Sequence, residues 1–325
     1  MPDSPPGGVP DPAAPASPSA ARPASPPGPP AAGSSSSPVG PVAVAAGSSG
    51  SPVGPAAVAA GGSASRGSSP APAGGSGSRT GGPAGSVRTA VVWEVLSAVL
   101  AETGSDGDGL DVVDAGGGTG GFAVPIAEAG HRVTVLDPSP DSLAALGRRT
   151  AERGLERRVQ ALQGDLTDLP ALVPAASADL VLCHSVLEVV DDPAEALAAV
   201  AAVLRPGGRL SLLVAGRAAA VVARALAGHP DEAAHALTDP AGRWGRADGA
   251  VRRFSPEAVE SLVTGAGLRV EQVHGVRVVA DLVPSALLDL EPGGHAALLA
   301  LERALSDRAP FRELATQLHV LAVRP

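Results

Sequence analysis

Residues 114–121 read DAGGGTGG, set between an apolar run, LDVVDAG (110–116), and a helical stretch from about Gly120 to Ala129. Glycines at such a turn let the backbone approach a ligand closely and leave the amide N–H groups of the helix start unencumbered. Outward from that turn the chain alternates short apolar runs with helical segments. They are RVTVLD (132–137), a helix from about Pro140 to Arg153, VQALQGD (159–165), ADLVLCHS (178–185), a helix from Pro193 to Leu204, and GRLSLLVAG (208–216). Strands and helices in alternation with short connections predict an α/β fold, a parallel sheet covered by helices on both faces. The strands are rich in Val and Leu without polar alternation, as strands buried on both sides are. Upstream, Val87, Ala90, Val91, Val95, Leu96, Val99 and Leu100 recur at helical spacing up to a TGSDGDG breaker. Downstream, a helix is expected at Ala218–Ala227, a polar loop to Arg253, and a helix in FSPEAVESLVTGAG (254–267) with Ser255 as N-cap and Pro256 at N1. LRVEQVHGVRVVADLV (268–283) and TQLHVLAVRP (316–325) read as strands around a helix at about Gly294–Ser306, a pair suited to closing the sheet antiparallel.

Composition sets the boundaries. The chain has 325 residues; through Gly85 it contains no Leu, Ile, aromatic residue or Cys, and 19 of its 33 prolines lie there. Such a segment cannot bury enough apolar surface to offset its ordering entropy, so residues 1–85 are expected to form a disordered Pro/Gly/Ala/Ser-rich tail. Its tandem near-duplicate, SPVGPVAVAAGSSG (37–50) and SPVGPAAVAAGGSA (51–64), reads either as an extended tether or as a neutral low-complexity extension. Residues 86–325 are then long enough for one α/β domain. The formal charge of −9, against +1 in the tail, leaves that domain at −10, which argues against a protein that coats nucleic acid or lies on a membrane surface. The single cysteine, Cys183, excludes an intramolecular disulfide and any multi-cysteine zinc or iron–sulfur site, and no metal site is expected. No apolar run approaches the roughly 18 to 20 residues that cross a bilayer, and Met1 is followed by Pro and Asp rather than a secretion leader. A cytoplasmic protein without membrane partners is the expectation.

The glycine run itself fits two patterns. Gly116, Gly118 and Gly121 match the G-x-G-x-x-G dinucleotide fingerprint; Asp114 with Gly116, Gly118 and Gly120 matches the acidic loop of class I S-adenosylmethionine (AdoMet) methyltransferases. Asp137 ends the second strand about 20 residues on, where a carboxylate can accept both hydroxyls of an adenosine ribose, a need common to both cofactors. Asp165, beside Gln163 and Gly164, stands where class I methyltransferases meet the adenine edge, or serves as a helix N-cap. LRPGGRL (204–210) recurs in those methyltransferases ahead of the fifth strand, and no nicotinamide-side catalytic domain follows it. In VLCHSVLEVVDDP (181–193), His184 and Glu188 lie four apart at the carboxyl edge of the fourth strand and could share a helical face. Ligands of open α/β sheets bind at that edge, so His184 is read as a ligand contact, with core packing as the alternative.

Taken together, GSVRTAVVWEVLSAVLAE, DAGGGTG, LCHSVLEVVDDPAEALAAVAAVLRPGGRLSLL, HGVRV and LATQLHVLAVRP resemble the bacterial tRNA 5-carboxymethoxyuridine methyltransferases across most of residues 85–325. The resemblance implies a Rossmann-like class I methyltransferase fold, a seven-stranded mostly parallel sheet, and AdoMet as cofactor. It implies esterification of the carboxylate of a modified tRNA wobble uridine. By the same resemblance Arg88 meets the methionyl carboxylate, Gly116 and Gly117 line the cofactor, Asp137 holds the ribose, Gln163 and Gly164 flank the adenine, and His184 touches the cofactor. Asp114, Gly118 and Asp165 complete the expected cofactor site. The chemistry agrees independently, since an Arg fork matches a carboxylate. A carboxylate acceptor is ionised at pH 7, so no general base is required and catalysis reduces to proximity and alignment. No catalytic residue is fixed on this basis; His184 and Arg277 are the candidates.

The chain departs from the family around the acceptor. SGSRTGGPAG precedes Arg88 where the family has an aromatic-containing, partly charged stretch, and Gly275–Val278 is followed by VADLV rather than an aromatic-rich run. HPDEAAHALTDPAGRWGRADGAVRRF (229–254) gathers Arg243, Trp244, Arg246, Arg252 and Arg253 against Asp248, read either as an RNA or anionic-substrate rim or as a solvated loop. The partner is therefore tRNA or a small-molecule acceptor, and a small-molecule O- or carboxyl-methyltransferase is the alternative function. A cofactor-binding protein without turnover is the third.

Overall fold

The computed structural model describes residues 1, 87, 89–103, 109–250, 252–290 and 292–325; the expected tail, apart from Met1, and Arg88 lie outside the described residues. From β1 (Asp111–Ala115) the chain passes through α2 (Ala123–Glu128), β2 (Arg132–Asp137), α3 (Pro140–Arg153) and β3 (Val159–Gln163) to one edge of a sheet. It then returns through a 3-10 turn (Leu166–Asp168) and α4 (Leu169–Leu172) to β4 (Ala178–His184), α5 (Pro193–Val203) and β5 (Leu204–Ala215) on the other side of β1. The last part holds α6 (Arg217–Leu226), α7 (Pro230–Thr238), α8 (Pro256–Gly265), β6 (Arg269–Val276), α9 (Ser285–Leu290), α10 (Gly294–Leu305) and β7 (Gln317–Val323). Before all of these stands α1 (Ala90–Thr103). The seven strands run in the order β3-β2-β1-β4-β5-β7-β6. Neighbours among β1 to β5 pair parallel, and β7 pairs antiparallel with β5 and β6, the closure that the sequence suggested.

Side-chain alternation along the strands feeds two cores. Val113, Ala115, Val181 and Cys183 pack on one face with α5 and α8 through Leu197, Val200, Val259 and Val263. Val112, Leu180 and Leu182 pack on the other with α1 and α2 through Val92, Leu96, Val124 and Ile126. Three helix starts are set locally by side-chain oxygens. Ser139 accepts from Ser142 N at 3.2 Å to start α3, Asp192 accepts from Ala194 N at 2.8 Å to start α5, and Ser255 accepts from Ala258 N at 3.3 Å to start α8.

Several elements differ from expectation. The helix after the glycine loop begins at Ala123 rather than Gly120, because Gly118 and Gly120 take φ of 55° and 80°. β5 reaches back to Leu204, which pairs with Ala178 before Arg205–Gly208 bulges out ahead of Arg209. The polar loop before Arg253 contains α7, whose buried residues are alanines and so give a faint hydrophobic period. β6 ends at Val276, seven residues short of the apolar run. Arg277 turns to φ 59°, and the next three backbone N–H groups leave the sheet to donate to the buried Glu302 of α10: Val278 to Oε2 at 2.8 Å, Val279 and Ala280 to Oε1 at 2.8 and 2.7 Å.

Candidate active site

The sheet order reverses between β1 and β4, and crevices outside the carboxyl ends of strands at such a reversal are where open α/β sheets take ligands. The glycine loop leaves β1 there. Gly116 has φ 77°, and a Cβ on it would strike Cγ2 of Val186 in the turn after β4. A Cβ on Gly117 would meet the Asp114 carboxyl group at 2.5 Å. Below the loop, Asp114 is 3% exposed and accepts from the backbone N–H of Ala123; burial first, and the charge of Asp137 second, push its carboxyl up to about 7. Asp137 closes the loop from β2, taking Gly118 N–H on Oδ2 and Ser139 N–H on Oδ1, each at 2.9 Å.

Beside the loop opens a cavity of about 370 Å³, lined by Gly116, Leu136, Pro138, Gly164, Asp165 and Thr167 on one side and by Val186, Val190, Asp191 and Glu195 on the other. Asp165 lines this cavity and also caps the 3-10 turn through Thr167 N at 2.8 Å. The structure thus gathers Gly116, Gly164 and Asp165 on the cavity wall, with Asp114, Gly117, Gly118 and Asp137 forming the loop and its support. Gln163 is exposed at the end of β3 and is not among the residues lining the cavity.

His184 ends β4, so it shares no helical face with Glu188, which lies in the following turn. Their partners differ as well. His184 donates or accepts at Nε2 with Ser211 Oγ at 2.9 Å and sets its ring edge-on to Phe122, centroids 4.7 Å apart. Burial pushes its imidazole down to about 3, so it is neutral at physiological pH. Glu188 Oε1 accepts from Ala215 N at 2.6 Å, and burial raises its carboxyl. Cys183 faces the other core, with burial raising its thiol.

Most of the arginines read either as a substrate rim or as a solvated loop, and Arg277, have partners within the chain. Arg277 pairs with Asp281 at 2.9 Å. Arg252 donates to the carbonyls of Leu187 at 3.1 Å and Val190 at 2.9 Å. Arg253 grips Asp248 bidentately at 2.5 and 3.1 Å; burial works against the Asp248 carboxylate, but Arg253 and the N–H groups of Trp244 and Ala250 outweigh it and hold it near 2. Arg224, ion-paired with Glu232, covers the Trp244 ring at 4.2 Å. Arg246 is exposed. Phe122, Val186 and Ser211 were not singled out by sequence. Val186 lies within the segment VLCHSVLEVVDDP, whereas the only signal for Ser211 was a polar residue inside an apolar strand.

Residues 113–212 match the model of a methyltransferase domain. Over 241 residues the chain is 31% identical to the tRNA 5-carboxymethoxyuridine methyltransferase of Escherichia coli K12, spanning 74% of this chain and 89% of that protein. The chain belongs to the class I AdoMet-dependent methyltransferases. Over 170 residues it is also 32% identical to the ubiquinone biosynthesis O-methyltransferase of Xanthomonas euvesicatoria pv. vesicatoria, spanning 52% of this chain and 66% of that one. A solved S-adenosylmethionine dependent methyltransferase from Mesorhizobium loti aligns at 21% identity with a TM-score of 0.48, covering 74% of this chain and 100% of that one. This methyltransferase uses AdoMet, and the site fits it. The loop backbone at Gly116 is bare toward the cavity, and an acid stands at the end of β2.

Proposed function

We propose that this methyltransferase esterifies a carboxylate on tRNA, that of the modified wobble uridine 5-carboxymethoxyuridine. The supporting observation is the extent of the likeness, which reaches 89% of the tRNA enzyme's length against 66% of the ubiquinone enzyme's. Bound AdoMet supplies a methyl group activated by its sulfonium. In this reading Gly116, Gly117 and Gly118 pass beneath the cofactor, Asp137 accepts the ribose hydroxyls, Gly164 and Asp165 flank the adenine with Gln163 at its rim, and Arg88 takes the methionyl carboxylate. Asp114 holds the loop from below. His184 touches the cofactor near the reacting carbon. A carboxylate acceptor would arrive ionised, so no residue of the chain has to take up a proton from it. Alignment does the work, and a neutral His184 adds no positive charge beside the sulfonium.

One observation favours a small-molecule carboxyl or hydroxyl acceptor as the second reading. Arg252, Arg253 and Arg277 have internal partners, and Asp165, Asp191 and Glu195 line the cavity, so these three arginines are not free to meet phosphates. The two are separated by incubating the purified full chain with methyl-labelled AdoMet and three acceptors: tRNA bearing 5-carboxymethoxyuridine, tRNA lacking it, and small carboxylic acids and phenols. Label entering only the first, as a base-labile ester, supports the tRNA reading. Label entering a small acceptor alone supports the second.

A further inference from the structure

A polar chain crosses the buried sheet beside the site. His184 on β4, Ser211 on β5 and His319 on β7 occupy adjacent strands, with His184 Nε2 2.9 Å from Ser211 Oγ and Ser211 Oγ 2.8 Å from His319 Nε2. On β6, beyond His319, the His274 ring stacks at a centroid distance of 5.8 Å. Ser211 and His319 are completely buried, each between buried apolar neighbours on its strand, Leu210 and Leu212 for Ser211 and Leu318 and Val320 for His319. A lone polar residue in such a place carries a desolvation cost unless its hydrogen bonds are made.

Proton counting fixes the direction of those bonds. A hydroxyl has one proton, so the Ser211 Oγ–H donates to one ring and Oγ accepts from the other. A neutral imidazole has one N–H, so the ring that accepts at Nε2 must carry its proton on Nδ1. Both Nδ1 atoms are buried without a hydrogen-bond partner among the described residues. An orphaned N–H is rarer in proteins than an under-satisfied acceptor, so the orphan N–H belongs on the ring nearer the glycine loop, where the reading above puts a ligand. His319 is fully enclosed, whereas His184 stands at the carboxyl end of β4 against Phe122, the residue that follows the glycine loop.

We propose that Ser211 and His319 are positioning residues: His319 Nε2–H donates to Ser211, Ser211 donates to His184 Nε2, and His184 is thereby fixed as the Nδ1–H tautomer, a donor to a ligand carboxylate. This rests on the reading above that places His184 beside the cofactor. The carboxylate is that of the methionyl half of AdoMet or that of the acceptor. His184 thus acts as a neutral donor rather than as a base.

Long-range 15N–1H correlation spectra of the labelled full chain report the tautomer of each histidine directly. The native chain is expected to show His184 with its proton on Nδ1. S-adenosylhomocysteine, which keeps the methionyl carboxylate, should shift that signal, whereas 5′-methylthioadenosine, which lacks it, should not. If the signal instead moves only when free 5-carboxymethoxyuridine is added to the homocysteine complex, the acceptor is the source of the carboxylate. Ser211→Ala should release the tautomer and weaken S-adenosylhomocysteine binding roughly five- to tenfold, the scale of one buried hydrogen bond. His319→Gln, which keeps an amide donor, should stay near native affinity, while His319→Leu should not; this pair carries the test if Ser211→Ala fails to fold. His184 found with its proton on Nε2, or native affinity in both Ser211→Ala and His319→Leu, overturns the proposal. Native affinity in His184→Ala instead overturns the placement of His184 in the site.

Discussion

Gly116→Ala is the perturbation whose cost the geometry resolves into two parts. Gly116 sits at φ 77°, where any residue with a Cβ pays about 1–2 kcal/mol. The added methyl also meets Val186 Cγ2. Val186 is β-branched and stiff about χ1, so it cannot swing clear, and overpacking of this kind costs about 1–3 kcal/mol. The expected loss is about 2–5 kcal/mol in urea unfolding, with weaker AdoMet binding by calorimetry because Gly116 and Val186 both line the cavity. A double-mutant cycle separates the parts. Val186→Ala makes room for the new methyl, so Gly116→Ala on that background should cost only the backbone part, a coupling of about 1–3 kcal/mol. Additivity within about 0.5 kcal/mol would refute the close approach of the loop to the β4 turn. Native stability and affinity in the single variant would refute both parts.

Three further outcomes are expected. Asp114 holds its proton up to about 7 in the fold against 3.8 in the unfolded chain. Between those values the folded state binds the extra proton, so stability falls as pH rises, by up to about 4 kcal/mol, and urea midpoints at pH 5 and 8 should converge in Asp114→Asn. Arg253→Ala strands the buried Asp248 carboxylate and should cost about 3–5 kcal/mol in thermal or urea unfolding, whereas exposed Arg246→Ala should stay within about 0.5 kcal/mol. Glu302→Gln turns an amide N–H₂ toward backbone donors at Val278–Ala280 and should cost about 1–3 kcal/mol, with faster proteolysis between Arg277 and Val283.

The central sheet was readable because its strands are runs of Val and Leu between glycine and N-cap signals; β2 and α3 begin and end where the residues predicted. The elements that escaped had weak or competing signals. α7 buries only alanines, and the run after Val276 looks like strand until a carboxylate 22 to 24 positions away claims its N–H groups. The places of the glycine loop, Asp137 and Asp165 beside the cavity were readable for the same reason as the fold, since they lie in one local turn, at the end of β2 and just after β3. Whether the arginine-rich segment forms a rim depends on which arginines find partners. Arg253 with Asp248 is a local pair, but Arg252 reaches carbonyls more than 60 residues back, which no spacing encodes. Ser211 and His319 meet only because β5 and β7 become neighbours.

Mass spectrometry of wobble nucleosides, in tRNA from a strain lacking this gene beside its parent, tests the acceptor assignment most directly. The account predicts that a methyl-ester uridine disappears and 5-carboxymethoxyuridine, its free acid, accumulates in its place. An unchanged nucleoside profile, with the ester still present in the deletion strain, would contradict it.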